Sequence, residues 1–193
     1  MAKSLGELTD EELIAEFQND NEAAFTELVQ RFKDPLTNFT YRFMGDWDDC
    51  HDVVQETFVR VARNLHAFEG RARFTTWLYT VVRSVAIDVT TKMRKAPKTA
   101  EDERMSQLPA QDGEPMDGMI DAETREAVRD AVTKLPENER EAVIMCELQE
   151  LPLRDACEVL GWSESRMKVT LYRARRRLRS MLGSYVGAGT VGS

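Results

Sequence analysis

The chain has 193 residues, of which 42% are hydrophobic and 31% charged, and its formal net charge is −8. This length allows one large domain or two small ones, and the composition is that of an ordinary globular protein. No apolar run reaches the roughly eighteen residues of a membrane span, and the acidic start of the chain is unlike a secretory signal peptide. We therefore expect a cytoplasmic protein without membrane insertion. The three cysteines are odd in number and widely separated, which argues against a disulfide framework.

The negative total conceals one strongly basic segment. From Arg166 to Arg179 the sequence holds seven Lys or Arg and no Asp or Glu. A local basic stripe on an acidic body can bind DNA, while the acidic remainder suppresses indiscriminate binding. The net charge therefore does not exclude a nucleic-acid partner.

Apolar residues at three- and four-residue spacing predict helices over most of residues 8–95, with little signal for strands. Two breaks are expected, at Gly45–Asp48 and at a loop over 68–73. The helix between these breaks carries one apolar stripe that we expect to face the core: Val54, Phe58, Val61 and Leu65.

The periodicity is lost over 96–121, where prolines, glycines and acidic residues indicate a flexible linker. Helical patterning returns over 122–183, and the Gly-rich tail, 184–193, is expected to be disordered. The sequence therefore predicts an all-α protein in which two small helical domains, 8–95 and 122–183, are joined by a flexible linker.

The sharpest pattern lies near the end of the second domain. A short amphipathic helix over Leu153–Leu160 leads into Gly161, which can adopt a left-handed turn, and Ser163 is a good N-cap for a final helix. This arrangement is typical of a helix-turn-helix whose second helix enters the major groove. The residues of its outer face that we expect to bind DNA are Arg166, Lys168, Val169, Thr170, Tyr172, Arg173 and Arg176. The alternative is a solvated amphipathic helix whose arginines balance the acidic body.

Several stretches of this domain resemble the −35-binding domain of sigma factors, of the small extracytoplasmic-function (ECF) group. They are Leu135–Val143, Glu158–Gly161, Lys168 and Tyr172–Arg179. Cys157 stands where the family usually has Ala, Arg166 where it has Thr, and Thr170 where it has Arg. The resemblance implies a region 4-like helix-turn-helix that binds the −35 promoter element and, in the polymerase, the flap region.

In the first domain, Asp52–Phe58 resembles the family's docking helix for core RNA polymerase. The resemblance implies a region 2-like domain whose partner is the coiled coil of the polymerase's largest subunit. The residues expected to make this contact are Asp52, Val53, Gln55, Glu56 and Arg60. The polar members lie opposite the apolar stripe, as a partner helix requires. Without the family, they would form an ordinary solvated face.

The segment Phe68–Tyr79 resembles the family's reader of the −10 element. It mixes cations with aromatic rings, and this suits single-stranded DNA because arginine tracks phosphates while rings stack on unpaired bases. The residues expected to bind the −10 element are Phe68, Arg71, Arg73, Thr75, Trp77, Tyr79, Arg83 and Ser84. Phe74 and Trp77 are equally compatible with core positions.

The resemblance covers about 10–95 and 123–182 and implies an ECF sigma factor that directs core polymerase to promoters by binding −35 and melted −10 DNA. It also implies that the acidic linker follows the RNA path of the polymerase, and it allows an anti-sigma protein as a further partner. We expect no enzymatic activity, cofactor or metal. The spacing of Cys50, His51, Cys146 and Cys157 matches no standard ligand motif, and buried packing thiols explain the cysteines better.

Two other functions fit parts of the sequence. One is a helix-turn-helix repressor or activator that works without polymerase, which would need a dimer on a palindromic operator. The other is a sigma-like decoy that binds polymerase or an anti-sigma factor but not DNA.

Overall fold

The computed structural model describes residues 3–44, 47–95 and 122–183. The chain divides into two compact units, Met1–Ala110 and Gln111–Ser193, and every regular element in the described ranges is helical. The expected all-α fold with two helical domains is confirmed. The linker over 96–121 and the tail over 184–193 lie outside the described residues.

The N-terminal domain begins with a short 3-10 turn, Leu5–Glu7. Its helices are α1 (Asp10–Gln18), α2 (Glu22–Met44), α3 (Trp47–Leu65) and α4 (Phe74–Lys95). Helix α2 packs against α1, α3 and α4, and α3 also packs against α4. The expected loop between α3 and α4 is confirmed, and the packing of these two helices fixes where its ends lie.

Side chains from all four helices build the core of this domain. The large side chains with almost no exposed surface are Leu13, Leu28, Leu36, Phe39, Val53, Val61, Leu65, Leu78 and Val82. Aromatic rings join α2 to α4, since Phe39 and Tyr79 meet edge to face with centroids 5.2 Å apart. The predicted apolar stripe of α3 is buried except at Phe58, which is half-buried against Phe25.

The C-terminal domain contains α5 (Ala122–Thr133) and α6 (Glu137–Val143), which continues as a π-helical turn over Ile144–Leu148. The helices α7 (Leu153–Leu160) and α8 (Glu164–Met181) follow. Helix α8 packs against α5, α6 and α7. Its buried face consists of Met167, Leu171 and Ala174, whereas Leu178, farther along the helix, is half-buried and Met181 is exposed.

The turn between α7 and α8 has the predicted geometry. Gly161 adopts φ 65° and ψ 35°, in the left-handed region that favours glycine. The Trp162 N–H donates to the Cys157 carbonyl at 2.9 Å, and the Ser163 hydroxyl accepts from the Arg166 N–H at 3.3 Å, which caps α8. The predicted helix-turn-helix is confirmed.

Candidate nucleic-acid and partner-binding sites

The loop between α3 and α4 borders a groove with a volume of about 600 Å³. Four of the residues predicted to bind the −10 element line it: Phe68, Arg71, Trp77 and Ser84. The structure therefore brings together, on one surface, half of a set that the sequence placed along two helical turns and a loop.

Aromatic rings form one wall of this groove. The rings of Phe68 and Trp77 are half-buried, with centroids 5.2 Å apart. Both contact Phe74, at 6.0 Å each, and Phe74 is only 2% exposed. Phe74 is thus a core residue that supports the wall, whereas Trp77 keeps part of its ring on the groove. A fixed ring with an open part is suited to stacking on an unpaired base.

The loop also presents positive charge. Arg71 lines the groove and pairs with Glu69, with Nη2 2.6 Å from Oε2, and both side chains are largely exposed. Exposed pairs of this kind contribute little free energy, so Arg71 can exchange Glu69 for a phosphate. Gly70, between them, has φ 69°, which a residue with a Cβ adopts only with strain.

The remaining −10 candidates lie elsewhere. Arg73 is exposed just before α4, while Thr75 and Arg83 are half-buried on it. Tyr79 was wrongly assigned to the DNA surface, because its ring packs on Phe39 in the core and it is only 5% exposed. Burial raises the pKa of Tyr79 to about 12.

Sequence reasoning missed two residues that shape the groove. The side-chain amide of Gln18 donates to the carbonyls of Leu65 and Phe68, both at 3.0 Å, and so ties the start of the loop to α1. Asn64 lines the groove and donates from Nδ2 to the carbonyl of Arg60 at 2.7 Å. The Asn64 position was open to prediction, because it lies four residues after Arg60 on the same helix face.

The residues predicted to contact core polymerase form a ridge on α3, here called the docking ridge, and only part of it is at the surface. Asp52, Gln55 and Glu56 are exposed. Arg60 is half-buried and lines the groove, and it pairs with Glu56 at 2.8 Å and with Asp88 of α4 at 3.2 Å. These partners, Glu56 foremost, raise the pKa of Arg60.

Val53 corrects the prediction for the docking ridge. Its side chain has no exposed surface, and its carbonyl accepts the hydroxyl of the buried Thr57 at 2.7 Å. Val53 therefore belongs to the core and is not available for a direct contact with a partner.

The predicted −35 residues share the outer face of α8. All are exposed except Thr170, which is half-buried. Two apolar members are unusually open, with Val169 49% and Tyr172 68% exposed, and Lys168 pairs with Glu164 at 3.0 Å. A second cavity, of about 490 Å³, lies between this face and the start of α6. It is lined by Pro136, Asn138, Glu139, Ser165, Arg166, Val169, Thr170 and Arg173.

Two other arginines of α8 face the body of the domain. Arg175 reaches Glu147, with Nη2 2.5 Å from Oε1, and Arg177 reaches the nearly buried Glu139, with Nε 2.9 Å from Oε2. These pairs link α8 to α6 and to the π-helical turn that follows it. Arg175 and Arg177 are thus directed toward neighbouring elements of the domain and not along its outer face.

The cysteines have the surroundings of packing residues. Cys50 and Cys157 are buried and Cys146 is half-buried, and burial raises the pKa of both Cys146 and Cys157. Within the ranges that the structure describes, no three His, Cys, Asp or Glu residues are grouped to hold a metal ion. No helix in those ranges combines the length and apolarity needed to cross a bilayer.

Known proteins with similar sequences include sigma factors. The family described as Sigma-70 region 2 matches residues 28–96, and Sigma-70, region 4 matches residues 125–178. The ECF RNA polymerase sigma factor SigW of Bacillus subtilis is 27% identical over 178 residues, which cover 88% of this chain and 94% of that protein. The ECF RNA polymerase sigma-E factor of Haemophilus influenzae is 26% identical over 189 residues, with 91% and 96% covered.

Solved structures share the fold. The sigma factor RpoE, crystallised with the anti-sigma factor NepR from Bartonella quintana, has a TM-score of 0.65 at 23% identity. The match covers 82% of this chain and 96% of that one. CnrH, in complex with the cytosolic domain of CnrY, has a TM-score of 0.64 at 23% identity, with 89% and 96% covered.

A helical domain with an aromatic and cationic groove, followed by a helix-turn-helix domain with a basic outer face, defines a two-domain DNA-binding transcription factor. Both sigma-70 regions match in that order, and full-length relatives align over most of their length. The chain belongs to the sigma-70 family and is an RNA polymerase sigma factor of the ECF type, whose general role is promoter binding. The family predicted from the sequence is confirmed.

Proposed function

We propose that the N-terminal domain captures bases of the melted −10 element in the groove beside the α3–α4 loop, while α8 holds the −35 element as duplex. The observation that carries this proposal is the aromatic wall of the groove, in which Phe68 and Trp77 lie 5.2 Å apart with Arg71 beside them. Rings that accept a base and a cation that accepts its phosphate are what single-stranded DNA requires.

This division of work accounts for promoter opening without catalysis. Extruding a base from the duplex costs about a few kcal/mol, and stacking it on an aromatic side chain returns about 1–3 kcal/mol. Binding to the open state therefore shifts the equilibrium toward it. Each domain alone would bind weakly, but joining them in one chain raises the effective concentration of the second site.

We also propose that Asp52, Gln55 and Glu56 dock the chain on the coiled coil of the largest polymerase subunit, and that the C-terminal domain meets the flap region. Support for the docking ridge comes from its exposure on α3, directly beside the groove that Arg60 lines. Polymerase bound at this ridge would lie next to the DNA strand in the groove.

The docking proposal is tested by measuring the affinity of the chain for purified core polymerase and the transcription that the two carry out in vitro. The double variant Gln55→Ala/Glu56→Ala removes polar contacts from the ridge, so we expect affinity for core polymerase to fall at least roughly fivefold. The matched control is Gln30→Ala/Asp34→Ala, which removes the same kinds of group from exposed positions on α2. Unchanged core binding by the ridge variant would contradict the docking proposal. Protection of a palindrome by the chain alone would instead favour a free-standing regulator.

An anti-sigma protein is a further proposed partner, because RpoE was crystallised with the anti-sigma factor NepR. Such a protein would act by covering the docking ridge or the outer face of α8. A candidate anti-sigma protein should then compete with core polymerase for the chain, and simultaneous binding of both at full affinity would contradict this mode of inhibition. We propose that the chain acts in the cytoplasm, on promoters of the chromosome, and that its linker follows the RNA path of the polymerase. The proposed function involves no enzymatic step by this chain.

A further inference from the structure

Two neighbouring side chains, Trp162 and Asn138, contact the guanidinium of Arg166. Its guanidinium carbon lies 4.0 Å from the centroid of the Trp162 ring, and its Nη2 donates to Oδ1 of Asn138 at 3.4 Å. Its backbone N–H is fixed as well, by the Ser163 cap. We propose that Trp162 and Asn138 are positioning residues that hold Arg166 as a clamp for a backbone phosphate of the −35 duplex. This inference rests on the proposed −35 binding by α8.

The cavity beside Arg166 has the chemistry of a phosphate seat. Donor groups from Asn138, Ser165, Arg166, Thr170 and Arg173 surround it. The one carboxylate in its lining, Glu139, lies 2.9 Å from the guanidinium of Arg177 and is nearly buried. Local charge at the cavity is therefore positive, and a phosphodiester is the anion that DNA offers.

The direction in which Arg166 is held favours phosphate over a base edge. Trp162 belongs to the turn before α8, and Asn138 belongs to the first turn of α6, so both tie the guanidinium toward elements beside the recognition helix. In a helix-turn-helix complex the first helix crosses the DNA backbone, and base edges are read by side chains from the N-terminal part of the recognition helix that project into the groove. Arg166 starts in that part of α8, but its guanidinium is turned back toward Trp162 and Asn138. The open side chains of Val169 and Tyr172 are placed to read base edges.

Fixing Arg166 before binding makes it a better clamp. An arginine that must be ordered on binding loses rotamer freedom at that moment. The contact with the Trp162 ring and the bond to Asn138 restrict Arg166 in the free protein, and a guanidinium has five N–H donors, so others remain for phosphate oxygens.

The test uses the full chain with core polymerase, on duplexes whose −35 sequence is varied one base at a time. For Arg166→Ala, affinity for every sequence should fall by the same factor, roughly tenfold. The slope of log affinity against log salt should become shallower by about 0.9, the share of one phosphate contact. The ranking of −35 sequences should not change. The matched control is Lys134→Ala, which removes one positive charge from an exposed position before α6 and should leave the salt slope unchanged.

The positioning role is tested by a double-mutant cycle. Trp162→Leu should weaken binding to all sequences alike, Trp162→Tyr should restore most of the affinity, and Trp162→Leu should add little to Arg166→Ala. Asn138→Ala should show a smaller loss of the same kind, without altering the turn. Thermal unfolding of each variant verifies that the domain is folded.

Three results would overturn this inference: a change of preference at one −35 position on losing Arg166, an unchanged salt slope, or additive effects of Trp162→Leu and Arg166→Ala. A wild-type chain whose promoter binding ignores the −35 sequence altogether would have a different meaning. It would remove the proposed −35 function itself.

Discussion

The two surfaces proposed to bind DNA, one in each domain, are of opposite kinds. The N-terminal groove is walled by the half-buried rings of Phe68 and Trp77, which core packing holds in place. The C-terminal face of α8 consists mainly of exposed cations, such as Arg166 and Arg173. An extruded base loses its stacking on neighbouring bases, and aromatic side chains can replace that stacking. A duplex instead presents charged phosphates, which attract the cations of Lys and Arg. Each surface thus fits one physical state of the promoter.

The supports behind the two surfaces differ in the same way. Behind the groove stand Phe74, in the core, and Gln18, which fixes two backbone carbonyls. Beside the recognition face lie exposed ion pairs, including Arg175 with Glu147, and Trp162, whose ring lies under the guanidinium of Arg166. Ion pairs near the surface weaken as salt rises, while buried packing does not. The C-terminal contacts should therefore be the more salt-sensitive half of promoter binding.

The largest effect that separates the domains is expected from Trp77→Ala. Losing the ring removes a stacking platform, so formation of the open complex should fall roughly tenfold to a hundredfold, while −35 binding keeps its affinity and salt slope. Permanganate reactivity of unpaired thymines in the −10 element measures the opening. Trp77→Phe, which keeps a ring, should retain much of the activity, and normal opening by Trp77→Ala would contradict the stacking role.

A smaller effect is expected from Gln18→Leu. This change removes two hydrogen bonds, each contributing about 0.5–1.5 kcal/mol, and should leave the loop over 66–73 less ordered. Opening should fall several-fold, and hydrogen exchange of the loop amides should accelerate. Gln30→Ala, on the exposed surface of α2, is the control. Equal exchange rates in wild type and Gln18→Leu would show that the clamp does not order the loop.

The smallest expected effect concerns Tyr79, and it tests whether this side chain belongs to the core or to the surface beside the groove. Because burial raises its pKa from 10.0 to about 12, the folded state favours the neutral phenol. The stability linked to this group is complete below pH 10 and is lost as the pH rises through about 12. Ultraviolet difference titration of the wild type against Tyr79→Phe isolates this one tyrosinate. Ionisation of Tyr79 near pH 10 in the folded protein would show that its side chain is exposed to solvent and not buried.

Local sequence was sufficient for the helix-turn-helix. The helix over Leu153–Leu160, the left-handed Gly161 and the Ser163 cap depend on neighbours within a few residues, and all three were predictable. Val53 and Tyr79 were assigned to binding surfaces because they lie within motifs that resemble those of the family. Each is the immediate neighbour of a buried residue on its helix, Val54 or Leu78, and is buried with it. Helix α3 packs against both α2 and α4, so its buried face is wide enough to include Val53 as well as Val54.

The supporting contacts were harder to predict because they join distant parts of the chain. Gln18 acts on carbonyls 47 and 50 residues away, and Asn138 on a guanidinium 28 residues away. No periodicity carries such information. The contact of Arg166 with Trp162 is local by comparison, since the two residues are four apart and Trp162 lies in the turn directly before α8.

The most direct test of the central claim compares two DNA fragments with one holoenzyme: a single-stranded −10 segment and a duplex −35 segment. Trp77→Ala should lose affinity for the single strand and keep it for the duplex, and Arg173→Ala should do the reverse. If both variants weaken binding to the same fragment, or if neither discriminates between the fragments, the assignment of opposite DNA states to the two domains is contradicted.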